Sequence, residues 1–191
     1  MLGTPYRAAK RAQIAAGYWV AIWGAGPIGL GELMVARHLG ARTATIDLSD
    51  YRLDMARNLG ADMVLNPKRD DVVSALRRWT AERGVDVAFD CVGDQTVARE
   101  GLSALRERGT LVVVGVSDQL TLNPWEDLIR RELTLFGTRN FNTAEFGEMV
   151  ELVRRGLPVE RIVTHRFALS EAERAFELFR SGECGKIVFV D

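Results

Sequence analysis

The residues whose types and spacing best suit chemistry form a single glycine-rich run, Gly24-Ala25-Gly26-Pro27-Ile28-Gly29. Without a Cβ, Gly24 can make a sharp turn and Gly26 lets a pyrophosphate approach the backbone. Gly29 would let a following helix pack closely on the preceding strand, and Pro27 has a φ angle already suited to the first turn of that helix. The free N–H groups at the start of such a helix attract anions. The run therefore predicts a dinucleotide-phosphate site.

An acidic residue at the expected distance supports this prediction. Asp47 lies 18 residues after Gly29, at the end of a second predicted strand. A carboxylate there accepts hydrogen bonds from the adenosine ribose and repels a 2′-phosphate, so it favours NAD over NADP. Arg52 could instead accept a 2′-phosphate, but beside Asp47 we expect it to reach the ribose or the adenine edge. The plain alternative is that Asp47 only turns the chain at the strand end.

The elements that must position these residues alternate along the chain. Apolar runs predict six strands, with amphipathic helical segments between them, at 19–23, 43–47, 63–65, 85–92, 111–114 and 133–136. Such alternation is typical of right-handed βαβ units and a parallel sheet. We therefore predict an α/β fold, a doubly wound Rossmann domain with a six-stranded parallel sheet and a C-terminal α/β tail. Residues 1–138 would form the NAD-binding domain, with an N-terminal lead-in helix, and residues 139–191 the tail.

Three finer expectations concern helix ends. Asp70 is expected to cap the helix after the third strand, and the next helix is expected to continue through Leu105. Ser170-Glu171-Ala172-Glu173 has the pattern of a capping box, which would open the last helix.

Composition excludes several classes of function. With a formal net charge of −1, the 191-residue chain has no global field to hold nucleic acid or an anionic membrane. No apolar stretch approaches the roughly 18 residues that span a bilayer, and the first residues do not form a signal peptide, so we expect a cytoplasmic protein. Cys91 and Cys184 have no metal-ligand spacing. No metal ligand and no catalytic residue is predicted in this chain.

Ordered motifs along nearly the whole chain resemble the coenzyme-binding half of the zinc-dependent medium-chain alcohol dehydrogenases. Besides the glycine run, they are Gly3-Thr4-Pro5-Tyr6-Arg7-Ala8, the segments 52–62 and 85–93, Val114-Gly115-Val116, and the segment 181–188. In that family an N-terminal domain supplies the catalytic zinc ligands and the proton relay, and none of these is in this chain. The resemblance therefore implies a chain truncated at its N-terminus, with zinc only in the missing domain. The tail, residues 139–191, would pack on that domain and is expected to expose an apolar patch where it would sit.

The resemblance also implies further coenzyme contacts. Val92-Gly93 and Gly115-Val116 would lie against the ribose and the nicotinamide, although strand packing alone would explain both valines. Thr4 would lie near the nicotinamide and the backbone of Thr138-Arg139 near its carboxamide. Lys186 would lie near the pyrophosphate, although by itself it is an ordinary surface charge.

The function expected from the sequence is that of the NAD-binding domain of an alcohol or polyol dehydrogenase. The whole enzyme would transfer hydride between NAD and a small alcohol or carbonyl compound, and this chain alone would be inactive. A stand-alone dinucleotide-binding module is one alternative. A methyltransferase using S-adenosylmethionine is another, and it would have an antiparallel last strand. Gly29 and the fifth strand ending at Gly115 disfavour it. The apolar segment 132–137 is expected to be an edge strand that joins two copies into a homodimer.

Overall fold

The computed structural model describes residues 2–116 and 119–191. Residue 1 and residues 117–118, which belong to the predicted 1–138 domain, lie outside the described residues. The predicted six-stranded parallel sheet is confirmed, in the order β3-β2-β1-β4-β5-β6. Its strands are β1 (Trp19–Trp23), β2 (Arg42–Ile46), β3 (Met63–Leu65), β4 (Val85–Asp90), β5 (Leu105–Val113) and β6 (Thr134–Gly137). Because β6 pairs in parallel with β5, the last strand lacks the antiparallel direction expected of the methyltransferase alternative.

Helices cover both faces of this sheet, and a short α/β tail follows it. Five helices belong to the sheet domain: α1 (Gly3–Arg11), α2 (Pro27–His38), α3 (Asp50–Asn58), α4 (Val72–Trp79) and α5 (Gln95–Ala104). A π-helical turn, Trp125–Ile129, precedes β6. The tail contains α6 (Phe146–Arg154), β7 (Val163–Phe167), α7 (Ala172–Ser181) and β8 (Lys186–Phe189), and β7 and β8 pair in parallel.

The central strand β1 is buried on both faces of the sheet. Val20 and Ile22 point into one apolar cluster, which also contains residues of α1 and α2. Ala21 and Trp23 point into the opposite cluster, with residues of α4 and α5. A strand covered on both faces has a continuous apolar sequence rather than an alternating one, as this strand does.

Helix α4, which follows β3, begins one residue later than predicted. The side chain of Asp71, not Asp70, caps α4 by accepting a hydrogen bond from the backbone N–H of Ser74 at 3.1 Å. Asp70 instead accepts from the backbone N–H of Asn66 at 2.7 Å and closes the turn after β3. Two adjacent aspartates compete for the cap, and the local turn uses the first of them.

Three other predicted ends are also wrong. Helix α5 ends at Ala104, and the fully buried Leu105 opens β5, because an extended backbone directs its side chain into the core between sheet and helices. Ser170 does not cap the last helix, because the carboxylate of Glu171 accepts from Ala168 N–H and a short 3₁₀ turn precedes α7. The edge strand starts at Thr134, since residue 132 has a left-handed backbone.

A buried acid lies within the apolar packing of α2. Glu32 is fully buried, and within residues 2–116 and 119–191 neither of its carboxylate oxygens has a hydrogen-bond partner. Desolvation raises the pKa of Glu32 well above its ordinary value of 4.5, because the charged form is the one that loses hydration. Burial is the main cause that raises the pKa of the nearby Cys91 thiol, and the adjacent carboxyl of Asp90 adds to it, so this cysteine is not a reactive thiolate.

We predict that Glu32→Met stabilises the chain near neutral pH by about 1–3 kcal/mol, because it removes an unsatisfied buried polar group. The folded pKa of Glu32 exceeds the unfolded one, so the folded state binds more protons above pH 4.5. The free energy of unfolding of the unaltered chain therefore falls as pH rises from 4.5 towards the folded pKa. Glu32→Met and Glu32→Gln should both lose this pH dependence in urea titrations between pH 5 and 9.

Glu177→Met is the matched control, since it makes the same replacement at an exposed position of α7. Its pH profile should parallel that of the unaltered chain. Parallel profiles for Glu32→Met and the unaltered chain would instead show that Glu32 is not a buried neutral acid.

Candidate functional site

A cleft of about 690 Å³ opens at the carboxyl ends of β1, β2 and β4. Chain connections leave β1 and β4 towards opposite faces of the sheet there, which is where open α/β sheets bind ligands. The cleft is lined by Trp23, Gly24, Gly26, Ile46, Asp47, Leu48, Ser49, Arg52, Pro67, Lys68, Cys91, Val92, Val97, Glu100 and Gly182.

The three glycines of the loop serve different purposes. Gly24 has a φ of +93°, which favours glycine, and a Cβ at Gly29 would overlap the carbonyl oxygen of Gly24. Gly26 differs from both. Its φ of −73° and ψ of −177° suit any residue, and a Cβ there would meet no protein atom within 4 Å. The fold itself therefore does not require glycine at position 26.

The start of α2 carries N–H groups without a capping side chain. Gly26 occupies the N-cap position, Pro27 follows it as the first helical residue, and no side chain caps this end. The first N–H groups of a helix have no partner inside the helix and bear partial positive charge. Ile28 and Gly29 belong to this first turn, so the loop and the helix end together can accommodate an anion.

Asp47 both shapes the loop and faces the cleft. Its Oδ2 accepts a hydrogen bond from Ala25 N–H at 2.7 Å, and its Oδ1 accepts from Ser49 N–H at 2.8 Å. Asp47 thus does turn the chain at the strand end, as the alternative interpretation of the sequence held, and its hydrogen bonds also tie that strand end to the glycine loop. A carboxylate oxygen can accept more than one hydrogen bond, so Asp47 keeps acceptor capacity for a ligand.

Two cations lie on the same side of the cleft as Asp47. Arg52, on α3, has a buried Nε without a hydrogen-bond partner in the described part of the chain, and its guanidinium lies beside Gly182, at the end of α7. Lys68 follows β3 and also lines the cleft. An unpartnered buried N–H is costly unless a ligand satisfies it.

The ends of β4 and β5 meet at Asp90, which sequence reasoning missed and whose carbonyl oxygen accepts from Val114 and Gly115 N–H, both at 2.8 Å. Its buried Oδ1 accepts from Val92 N–H at 2.9 Å and from Gly93 N–H at 2.8 Å. Burial raises the pKa of Asp90 although both N–H groups favour its charged form. Gly93 has a φ of +83°, and a Cβ on either Gly93 or Gly115 would overlap the other turn. This turn leaves Val92 half-exposed at the cleft.

The structure brings only some of the predicted residues to the cleft wall, namely Gly24, Gly26, Asp47, Arg52 and Val92. The other loop residues continue into α2, and Gly93, Gly115 and the exposed Val116 belong to the adjoining turns. Other predicted residues are not in the wall.

Thr138 N–H donates to Val113 oxygen at 3.0 Å beside the end of β5, and Arg139 is exposed. Thr4 lies half-buried on α1, and Lys186 is an exposed residue of β8. The roles given to these four residues rest on the resemblance.

Several lining residues were not predicted. Leu48, Pro67 and Lys68 directly follow the ends of β2 and β3, so the strand-end rule that located Asp47 could have located them too. Trp23 is the last residue of β1, so the same rule applies to it, whereas Glu100 carries no such signal because its contact with Trp23 joins α5 to β1 across the fold.

Two negative findings apply to residues 2–116 and 119–191. They contain no group of three or more His, Cys, Asp or Glu side chains that could hold a metal ion. No helix among them is long and apolar enough to cross a membrane.

Comparison with known proteins identifies the family. The sequence profile of the zinc-binding dehydrogenases matches residues 27–155. The L-threonine 3-dehydrogenases of Chromobacterium violaceum and Saccharopolyspora erythraea are 32% and 34% identical to this chain over 173 residues, which are 88% of this chain and 50% of each relative. The chain thus spans about half the length of these curated relatives.

Solved structures agree with this assignment. The alcohol dehydrogenase TADH from Thermus sp. ATN1 superimposes with a TM-score of 0.93 at 31% identity, over 100% of this chain and 56% of that chain. The 2R,3R-butanediol dehydrogenase from Bacillus subtilis gives a TM-score of 0.91 at 26% identity, over 100% and 55%. With its sheet order, its glycine loop and these relatives, the chain belongs to the zinc-dependent medium-chain alcohol dehydrogenase family and corresponds to the coenzyme-binding half of its members.

Proposed function

We propose that this chain binds NAD in the cleft, as the coenzyme-binding part of an enzyme that transfers hydride between NAD and a small alcohol or carbonyl compound. The observation that carries the proposal is Gly26. Neither its backbone angles nor its neighbours require glycine, and the space in front of it is open. A ligand that must contact the backbone closely explains the missing side chain.

Different residues of the cleft would contact different parts of the dinucleotide. The pyrophosphate would lie over Gly24, Gly26 and the first turn of α2, where Pro27, Ile28 and Gly29 follow. Asp47 would accept hydrogen bonds from the adenosine ribose, and the guanidinium of Arg52, which lines the cleft, would donate to the ribose or to the adenine edge.

The nicotinamide half would lie along the ends of β4 and β5. Val92, Gly93, Gly115 and Val116 form adjoining turns there, and Thr138 is bonded to the end of β5. Thr4, Arg139 and Lys186 remain part of the proposal by resemblance. NAD supplies the hydride acceptor when it is bound, and the residues of this chain hold and orient it.

A pair of glycine variants tests this site. Gly26→Ala should leave the free energy of unfolding unchanged, because the added methyl meets no protein atom, yet it should weaken NAD binding at least about tenfold by displacing the pyrophosphate. Gly29→Ala should destabilise the fold, because its Cβ would overlap the Gly24 carbonyl. Calorimetric titration and thermal unfolding measure the two effects. Unchanged NAD affinity in Gly26→Ala would contradict the proposed pyrophosphate site.

A second test concerns the choice of nucleotide. Asp47→Asn keeps the shape of the side chain but loses one of the two bonds from Ala25 and Ser49 N–H. It also removes the charge that would repel a 2′-phosphate, so the preference for NAD over NADP should narrow by about tenfold. Calorimetric titration of Asp47→Asn and of the unaltered chain, each with NAD and with NADP, measures this preference. If NADP binds the unaltered chain more tightly than NAD does, the role given to Asp47 is wrong.

The described residues do not fit a catalytic zinc site, since they contain no cluster of three metal-ligating side chains. We propose that zinc and most substrate contacts belong to the part of such enzymes that this chain does not match. The pure 191-residue chain should therefore oxidise no alcohol in an NADH-absorbance assay, with or without added zinc. Zinc-dependent turnover would refute this division, and NAD binding without turnover is equally expected of a stand-alone module.

We also propose a homodimer through the edge strand β6. Thr134 and Gly137 are exposed, Leu135 is half-buried, and no strand among the described residues pairs with the outer side of β6. Such an edge, without proline or inward charge, can pair with a second copy. Arg11 limits the available edge, because its guanidinium lies 4.1 Å from the ring centre of Phe136 and donates to the carbonyl of Gly137.

Leu135→Lys should convert the dimer to a monomer, because a charge at a sheet edge opposes pairing. Sedimentation velocity measures the change, and circular dichroism confirms folding. Val153→Lys is the control, since it alters an exposed apolar residue of α6 in the tail. If Leu135→Lys stays folded and dimeric while Val153→Lys dissociates, the interface lies on the tail instead.

A cytoplasmic location is part of the same proposal. It is supported by Cys91 and Cys184, which are both free thiols in the described chain. Compartments that reduce thiols keep cysteines in this state.

A further inference from the structure

The cleft contains a carboxylate to which the proposed dinucleotide contacts assign no role. Glu100, on α5, is half-buried in the cleft wall, and its Oε2 accepts a hydrogen bond from Trp23 Nε1–H at 3.0 Å. In the part of the chain that the structure describes, no lysine or arginine forms an ion pair with Glu100. One of its oxygens is fixed, and the other is free to accept a further hydrogen bond.

Trp23 makes this carboxylate a defined feature of the site. It is the last residue of β1, it directly precedes Gly24, and it is only 2% exposed. Packing in the core fixes its indole ring, so the N–H that holds Glu100 has a fixed direction. The position of the carboxylate is thereby tied to the strand that leads into the glycine loop.

The adenine of a bound dinucleotide would extend towards Glu100. With the pyrophosphate at the glycine loop and the ribose at Asp47, the base must lie beyond Asp47, on the side away from the phosphates. Leu48 and Val92, 58% and 51% exposed, line the cleft after β2 and β4 and offer apolar surfaces to a flat base. Val97 lies one turn before Glu100 on α5, so both side chains share the helix face that lines this region.

The chemistry of the two partners is complementary. A carboxylate only accepts hydrogen bonds, and adenine carries an amino donor at C6. Hypoxanthine carries a carbonyl oxygen at that position, which a carboxylate would repel. We propose that Glu100, held by Trp23, accepts a hydrogen bond from the 6-amino group of the adenine and so selects adenine dinucleotides. This inference rests on the proposed function, since it assigns a further residue to the same cleft.

The test compares NAD with nicotinamide hypoxanthine dinucleotide, whose base has a carbonyl oxygen at C6 in place of the amino group and carries a proton on the adjacent N1. In calorimetric titrations the unaltered chain should bind NAD about tenfold more tightly or better, as expected for a hydrogen bond to a charged group. In Glu100→Gln the two affinities should come within about threefold of each other, because an amide can both donate and accept. Glu107→Gln, at an exposed position of β5 outside the cleft, should retain the full preference.

The possible failures are distinguishable. Equal binding of both dinucleotides by the unaltered chain, or a preference that Glu100→Gln leaves unchanged, would overturn the role of Glu100 while leaving NAD binding in the cleft intact. If neither dinucleotide binds to the folded chain, the proposed function fails and this inference fails with it.

Discussion

The close approach of α2 to the end of β1 is the constraint on which the site depends. A Cβ on Gly29 would overlap the Gly24 carbonyl oxygen, so only glycine lets the helix start directly against the strand end. This contact points the uncapped N-terminus of α2 towards the cleft and leaves open space in front of Gly26. Asp47 then ties the loop to β2 through Ala25 N–H. This one packing contact thus places the open space in front of Gly26 next to the positive end of the helix, and the hydrogen bond from Ala25 holds Asp47 beside them.

The sheet could be predicted from the sequence because each of its strands has its own apolar run, which can be recognised without reference to the others. Trp19–Trp23 is apolar throughout, and the structure buries it on both faces. The prediction of six parallel strands follows from alternation and from the handedness of βαβ units, which depend on the backbone and not on particular side chains. The strand-end rule located Asp47, whereas Val92 was expected near the coenzyme through the family resemblance, and the structure brings both to one cleft.

The features that the sequence could not predict depend on how particular side chains meet in three dimensions. Asp70 and Asp71 are chemically identical, and only the geometry of the turn after β3 assigns the cap to Asp71. Asp90 is the last residue of β4, and its role as acceptor for Val92 and Gly93 N–H depends on the turn that follows the strand. The pairing of Trp23 with Glu100 joins residues 77 positions apart, which no local pattern encodes.

The tail is an extension of the sheet domain rather than a separate unit. Leu157 and Ile162 are buried in the same apolar cluster as Ile22 of β1. Arg161 donates to the carbonyl of Asn58 at the end of α3 at 2.7 Å. Gly182 then reaches the cleft wall beside the guanidinium of Arg52. Because one core supports both parts and Gly182 of the tail lines the cleft, loosening the tail would move a wall of the cleft.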